Sequence, residues 1–298
     1  MKYISFIIEV KNYEIKNKAK EGVERVLRTI IMDGAMGTYL KQKGIEYKDN
    51  LKVNINNPQL IKDVHEEYIR AGAEVICTNT FTSFGLLEKD QYDEFELIID
   101  SALKIAWNAR NNFKDKDIKI SLDFGPVSNI SYDKLVKVYK KAFKIIRSKN
   151  FDYLMIETQY DLKQTIIALE EFRKINKQII LSFTFNEDHK LYSGEEIKKI
   201  LEEINKRQFE NLHAIGANCS CGPKVMFKLV DEFKKYSNLP IIIKPNLGNS
   251  KNINGELKYD SSFQEFKSDM SKVKEKGVTF LGGCCGTNPQ YIESISSL

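Results

Sequence analysis

Short unbroken apolar runs alternate along this chain with longer stretches in which apolar residues recur at helical spacing. The first run, Thr29-Ile30-Ile31-Met32, leads into Asp33-Gly34-Ala35-Met36-Gly37-Thr38. A continuous apolar run bounded by glycine reads as a parallel strand covered on both faces. The helix that follows opens at Asn57-Pro58, a cap-type residue ahead of proline at the first helical position, and Gly72 ends it. Further strands are predicted over residues 73–81, 118–123, 153–158, 179–185, 213–218, 240–246 and 278–282. Between them, helices are predicted over 94–112, 132–148, 162–175, 194–206, 224–236 and 262–276. One more helix is expected at 18–29, ahead of the first strand. Eight such strands, seven of them followed by a predicted helix, match the number that closes a parallel barrel, and right-handed crossovers place the helices outside. The expected fold is α/β, a single-domain (β/α)8 TIM barrel, a size that 298 residues suit.

That architecture gives the polar residues a common address. Asp33, Asn79, Glu157, Asn218 with Cys219, Asn246, and Cys284 with Cys285 each fall at the end of a different predicted strand or just past it. In such barrels the C-terminal ends of the strands form the active-site face. Residues far apart in sequence are therefore expected to converge there.

The cysteines suggest what they converge on. In Gly282-Gly283-Cys284-Cys285-Gly286-Thr287 two adjacent thiols sit in a glycine-bracketed turn. Neighbouring cysteines meet disulfide geometry only with strain, so the pair reads as two thiolates aimed at one point. The stretch Ile215-Gly216-Ala217-Asn218-Cys219-Ser220-Cys221-Gly222 offers a third sulfur, for which Cys219 and Cys221 compete. Three sulfurs and an open fourth position are the arithmetic of a catalytic zinc site, whereas structural sites close all four. Cys77 lies within a strand and reads as a small buried apolar residue. His65, His189 and His213 fall on a helix face or near loops and strand starts, away from the metal.

Charge and composition narrow the class. The net charge of +5 is spread over helix faces with acids interleaved, which argues against nucleic acid as partner. The apolar patch from Tyr3 to Ile8 is broken by Glu9 and Lys11 before it reaches signal-peptide length, and no run approaches the roughly 18 residues of a membrane span. With five cysteines, an odd number in a long chain, metal binding or catalysis in a reducing cytoplasm is expected.

The motifs Asp33-Gly34-Ala35-Met36-Gly37-Thr38, Asn79-Thr80-Phe81, Ile156-Glu157-Thr158, Gly216-Ala217-Asn218-Cys219, Lys244-Pro245-Asn246 and Gly282-Gly283-Cys284-Cys285-Gly286-Thr287 together resemble the homocysteine S-methyltransferase family. The likeness is greatest to the homocysteine-binding module of cobalamin-dependent methionine synthase. It covers residues 24–298, leaving 1–23 as an N-terminal extension without an assigned role. The resemblance implies zinc on Cys219, Cys284 and Cys285, with the homocysteine sulfur in the fourth position. It implies that Asp33 and Glu157 receive the substrate's ammonium group and that the loop holding Gly34, Gly37 and Thr38 receives its carboxylate, with Asn79 and Asn218 also in the substrate site. Where one branch of the family places a resting tyrosine ligand, Asn79-Thr80-Phe81-Thr82-Ser83-Phe84 has none, so Asn246 is the expected resting ligand. A second departure is Asp123-Phe124-Gly125-Pro126-Val127-Ser128, where a small residue is usual in place of the acid.

The chemistry agrees with that likeness. A free thiol is mostly protonated at neutral pH, and zinc removes the proton outright. Three thiolate ligands leave the site about −1 in charge and keep the incoming sulfur nucleophilic, whereas histidines and water would favour hydrolysis. The expected reaction is methyl transfer to homocysteine, giving methionine. A cobalamin-binding Asp-x-His-x-x-Gly signature is absent and no domain is expected after the barrel. Methylcobalamin would then arrive on a separate corrinoid protein, while S-methylmethionine and S-adenosylmethionine are small-molecule alternatives. The rival reading is a non-catalytic zinc-loaded barrel that serves as a binding module, with a hydrolytic metalloenzyme third.

Overall fold

The apolar runs form one eight-stranded parallel sheet in the computed structural model, which describes residues 28–186, 188–253 and 256–298. In chain order the strands are β1 (Ile30–Ile31), β2 (Val75–Cys77), β3 (Lys119–Phe124), β4 (Tyr153–Gln159), β5 (Gln178–Phe183), β6 (Leu212–Asn218), β7 (Ile241–Lys244), the hairpin strands β8 (Ser250–Ile253) and β9 (Glu256–Tyr259), and β10 (Phe280–Leu281). The sheet runs β1-β10-β7-β6-β5-β4-β3-β2, and its two ends meet through a parallel bridge between Met32 and Val75. Asp33 N–H donates to Val75 C=O at 3.0 Å and Glu74 N–H to Ile31 C=O at 2.7 Å across that seam. The result is the predicted (β/α)8 barrel.

Alternation of side chains along each strand sorts the core in two. Met32, Val75, Cys77, Met155, Ile180, Ala214, Ile242 and Phe280 fill the lumen, while Ile120, Leu122, Phe124, Leu154, Ile156, Ile215, Ile241 and Ile243 pack outward against helices. Continuing the inward parity to the C-terminal ends reaches Asp123 on β3, Glu157 on β4, Asn218 on β6 and Lys244 on β7. At the close of these strands the lumen changes from apolar to charged.

Helix starts follow local chemistry. Asn57 accepts from Leu60 N–H with Pro58 in the first turn, and Ser131, Asp161 and Asn288 cap in the same way. Ser262 and Glu265 form a capping box at the helix Phe263–Glu275. The helix expected over 194–206 starts later, at Ile197–Arg207, because residues 190–196 form a turn closed by a Lys190–Glu196 bridge. The strand expected over 73–81 ends at Cys77, where Thr80 N–H folds back to Thr78 C=O at 2.9 Å. The one expected over 240–246 ends at Lys244, since Pro245 has no N–H for the ladder. The short helices Gly37–Gln42 and Phe84–Glu88, the β8–β9 hairpin and the last helix Pro289–Ser296 carry too few turns for a periodic signal and were not anticipated. The N-terminal extension 1–23 lies outside the described residues. So does the 18–29 helix but for Arg28 and Thr29, which are not helical.

Among the described glycines, Gly216 leaves the least room for a side chain. A Cβ there would sit 1.8 Å from the Ile242 carbonyl oxygen on β7. Gly216→Ala must therefore spread β6 from β7 or distort both, and is expected to cost about 3 kcal/mol or more in chemical denaturation. A variant within 0.5 kcal/mol of the wild type, about the scatter of a surface substitution, would contradict this packing.

Candidate metal centre and substrate pocket

Two turns carry the sulfurs. Past β6, Cys219 (φ 60°) and Ser220 (φ 51°) both adopt left-handed backbone, which side chains other than glycine enter at a cost. Cys219 N–H donates to Lys244 C=O at 3.1 Å, so the turn is anchored on the neighbouring strand. Past β10, Cys284 N–H donates to Pro245 C=O at 2.7 Å and Cys285 C=O accepts from Leu247 N–H at 3.0 Å. Gly283 permits this because a Cβ there would lie 2.4 Å from Thr287 Oγ1. The turn after β7 thus touches both cysteine turns and sets them against each other.

The Sγ atoms of Cys219, Cys284 and Cys285 lie within 4.8 Å of one another, with Cys219 and Cys285 4.0 Å apart. Tetrahedral thiolate ligands about 2.3 Å from zinc are spaced about 3.8 Å apart, so the trio fits such an ion after a small contraction. Cys221 packs instead beside the outer apolar cluster, and burial pushes its thiol up to about 11. Asn246 is buried in the turn between the cysteines, and its Oδ1 meets no hydrogen-bond donor among the described residues. The thiols share protons unequally. Hydrogen bonds from Cys284 and Cys285 hold Cys219 well below the ordinary thiol range, and keeping those protons raises both partners.

Beside the sulfurs lies a cavity of about 340 Å³ whose floor is charged. Asp33, just past β1, is buried with both oxygens engaged: Oδ1 meets Lys244 Nζ at 3.0 Å and Oδ2 accepts from Cys77 N–H at 2.6 Å. Burial alone would lower the Lys244 ammonium, but Asp33 and the neighbouring acids raise it well above the usual lysine range. Glu157 sits where the β4–β5 register shifts and Thr158 turns to φ 58°, a bulge that aims its carboxyl into the cavity. Asn218 holds it there, donating from Nδ2 to Glu157 Oε2 at 2.9 Å while Oδ1 accepts from Thr158 N–H at 2.8 Å and Ser182 Oγ at 2.7 Å. Desolvation lifts Glu157 to about 7. Asp123 is raised well above the carboxylate range by burial and then by the charge of Glu157, which lines the same cavity. Each of two neighbouring buried carboxyls disfavours ionisation of the other.

The other expected residues divide between lining and bracing. Gly34 and Gly37 line the cavity. Thr38 also lines it, but its Oγ1 accepts from Gly286 N–H at 3.0 Å and so ties the first loop to the cysteine turn. Asn79 donates to Asn50 C=O at 2.7 Å and also lines the cavity. Asn218 is fully buried and acts on the pocket through Glu157. Cys77, expected to be a small buried apolar residue, is buried in the lumen, and its Sγ lies 3.6 Å from Lys244 Nζ. Sequence reasoning assigned no role to Lys244 or Asp123, although inward parity along β7 and β3 was a usable signal for both. It also missed Tyr259 on the hairpin, whose ring would lie 2.6 Å from a Cβ at Gly286 and whose hydroxyl is buried without a partner among the described residues.

A family model described as homocysteine S-methyltransferase matches residues 30–298. The chain is 28% identical to Homocysteine S-methyltransferase 1 of Arabidopsis thaliana, over 89% of this chain and 92% of that protein. It is likewise 28% identical to the Brassica oleracea var. italica protein of that name, over 92% and 94%. Among solved structures, the homocysteine methyltransferase MmuM from Escherichia coli superposes in its metallated form with a TM-score of 0.75 at 20% identity, covering 90% of this chain and 96% of that one. Its apo form gives a TM-score of 0.73 at 21% identity, covering 90% and 95%.

The raised Glu157 carboxyl has a consequence for stability. Its folded value lies above its unfolded one, so its contribution is complete below about 4.5 and is lost as pH rises through about 7. Glu157→Gln is expected to remove a pH-dependent loss of about 1–3 kcal/mol between pH 5 and 8. Denaturation of both proteins across that window checks this, and parallel profiles would count against it.

Proposed function

This chain belongs to the homocysteine S-methyltransferase family, and from that premise we propose that it binds Zn²⁺ on Cys219, Cys284 and Cys285 and transfers a methyl group to the thiol of homocysteine, giving methionine. The observation that carries the reading is the meeting of three sulfurs from two turns beside an acid-floored cavity. Bound there, zinc would supply the Lewis acidity that keeps a thiol deprotonated and nucleophilic at neutral pH. Asn246, with its unpartnered Oδ1, is the proposed resting fourth ligand.

The chain's own residues would orient the amino acid. Its ammonium is received at the carboxyl-rich floor containing Asp33 and Glu157, and its carboxylate lies along the loop of Gly34, Gly37 and Thr38. Asn218 Nδ2, 2.9 Å from Glu157 Oε2 and 4.0 Å from Cys284 Sγ, puts the ammonium end and the sulfur cluster within one small amino acid's length. In the transfer a new sulfur–carbon bond forms as the donor's bond to the methyl breaks, the donor keeping the electron pair and the substrate thiol giving up its proton.

For the donor, the acid-rich lining suits a cationic sulfonium, S-methylmethionine or S-adenosylmethionine, which would leave as a neutral thioether. Methylcobalamin on a separate corrinoid protein is the second reading, favoured by the likeness of the motifs to a cobalamin-dependent module. Five free thiols fit a reducing compartment, and we place the protein in the cytoplasm.

The purified protein is expected to hold about one zinc per chain and to form methionine from homocysteine with one of the three donors. Cys219→Ser or Cys284→Ser should lose the metal and lower turnover by at least about a hundredfold, since even losses around a metal's ligands cost 10–100-fold. Zinc bound at one per chain without methionine from any donor would favour the non-catalytic reading.

A further inference from the structure

The cavity floor contains more acid than its internal partners neutralise. Among its described lining residues are three buried carboxyls, Asp33, Asp123 and Glu157, and one ammonium, Lys244. Lys244 is committed to Asp33 at 3.0 Å, and the second Asp33 oxygen is held by Cys77 N–H. Asp33 therefore has its counter-charge and its hydrogen bonds inside the protein. Glu157 is held by the neutral amide of Asn218.

Asp123 is placed firmly but left unpaired. Its backbone is clamped, N–H donating to Thr78 Oγ1 at 3.1 Å and C=O accepting from Thr80 Oγ1 at 2.6 Å. The side chain follows the inward parity of β3 into the cavity. It is 4% exposed, and its Oδ1 meets no donor among the described residues. A buried carboxyl oxygen without a donor is costly, and a second carboxyl beside it adds repulsion. What relieves both is a cation carrying N–H donors that sits between them.

Building on the proposed function, we infer that Asp123, paired with Glu157, receives the α-ammonium group of the amino-acid substrate, and that Asp33 is a positioning residue locked by Lys244. An ammonium between Asp123 and Glu157 gives Oδ1 its missing donor, separates two like charges and lies within one amino acid's length of the sulfurs. At Asp33 the same ammonium would have to compete with Lys244 for an oxygen already engaged. The acid at position 123, where the family resemblance leads one to expect a small residue, thus becomes a specificity determinant of this chain.

Calorimetric titration of the zinc-loaded protein with homocysteine and with 4-mercaptobutanoate, the same molecule without its amino group, tests the assignment. The wild type should prefer homocysteine. Asp123→Asn, close in shape, and Asp123→Ser, the small residue, should each weaken homocysteine by about thirtyfold or more while leaving 4-mercaptobutanoate unchanged, which also shows that fold and metal site are intact. An undiminished preference in both variants, or a wild type that binds both thiols alike, overturns the assignment alone. A wild type that binds neither overturns the proposed function, and this inference with it.

Discussion

The structure depends on one geometric constraint: a strand in a closed parallel barrel must turn alternate residues inward, and the lumen penalises a polar group without a partner. Through the lower lumen the requirement is met by Met32, Val75, Met155, Ile180, Ala214, Ile242 and Phe280. At the C-terminal ends the same alternation delivers Asp123, Glu157, Asn218 and Lys244 to one place. Apart from Asp33, just past β1, no loop has to reach in to make the floor of the pocket. It is the continuation of the core, with polar side chains at the last inward positions, and its rigidity comes from the sheet beneath.

A charged floor in such a place needs internal compensation. The Asp33–Lys244 pair supplies part of it, joining the seam strand β1 to β7 across the lumen. Buried pairs of this kind contribute little net stability, because desolvation offsets their attraction, but removing one partner leaves a costly bare charge. The pair is better understood as setting the local charge and fixing Asp33. Asp123 and Glu157 have no such cation among the described residues, and burial raises both carboxyls instead.

The sulfur cluster is braced by backbone more than by side chains. Lys244, Pro245 and Leu247, on or just past β7, exchange main-chain hydrogen bonds with Cys219, Cys284 and Cys285, so three strands' ends hold one another in register. Thr38 and Thr287 extend the bracing to the loop past β1, Thr287 Oγ1 accepting from Ala35 N–H at 3.2 Å and donating to Cys284 C=O at 2.7 Å. Glycines at 282 and 283 are required here because a Cβ at either would fall within 3 Å of Asp33 C=O or Thr287. Left-handed backbone at Cys219 belongs to the same device, aiming a sulfur back toward the barrel axis.

Much of this was legible in the linear chain because it is local. Apolar runs, helix starts such as Asn57-Pro58 and the phase of polar residues at strand ends follow from period and capping chemistry, which neighbours in sequence suffice to define. The cysteine turns stood out for the same reason, since adjacent thiols between glycines have few other uses. What the chain alone could not show was which polar residues neutralise one another. Lys244 lies 211 positions from Asp33, and Asp123 and Glu157 face one cavity only because β3 and β4 stand side by side. Partnership among buried charges is decided by distances of a few ångströms across the lumen, and only the closed barrel sets those distances.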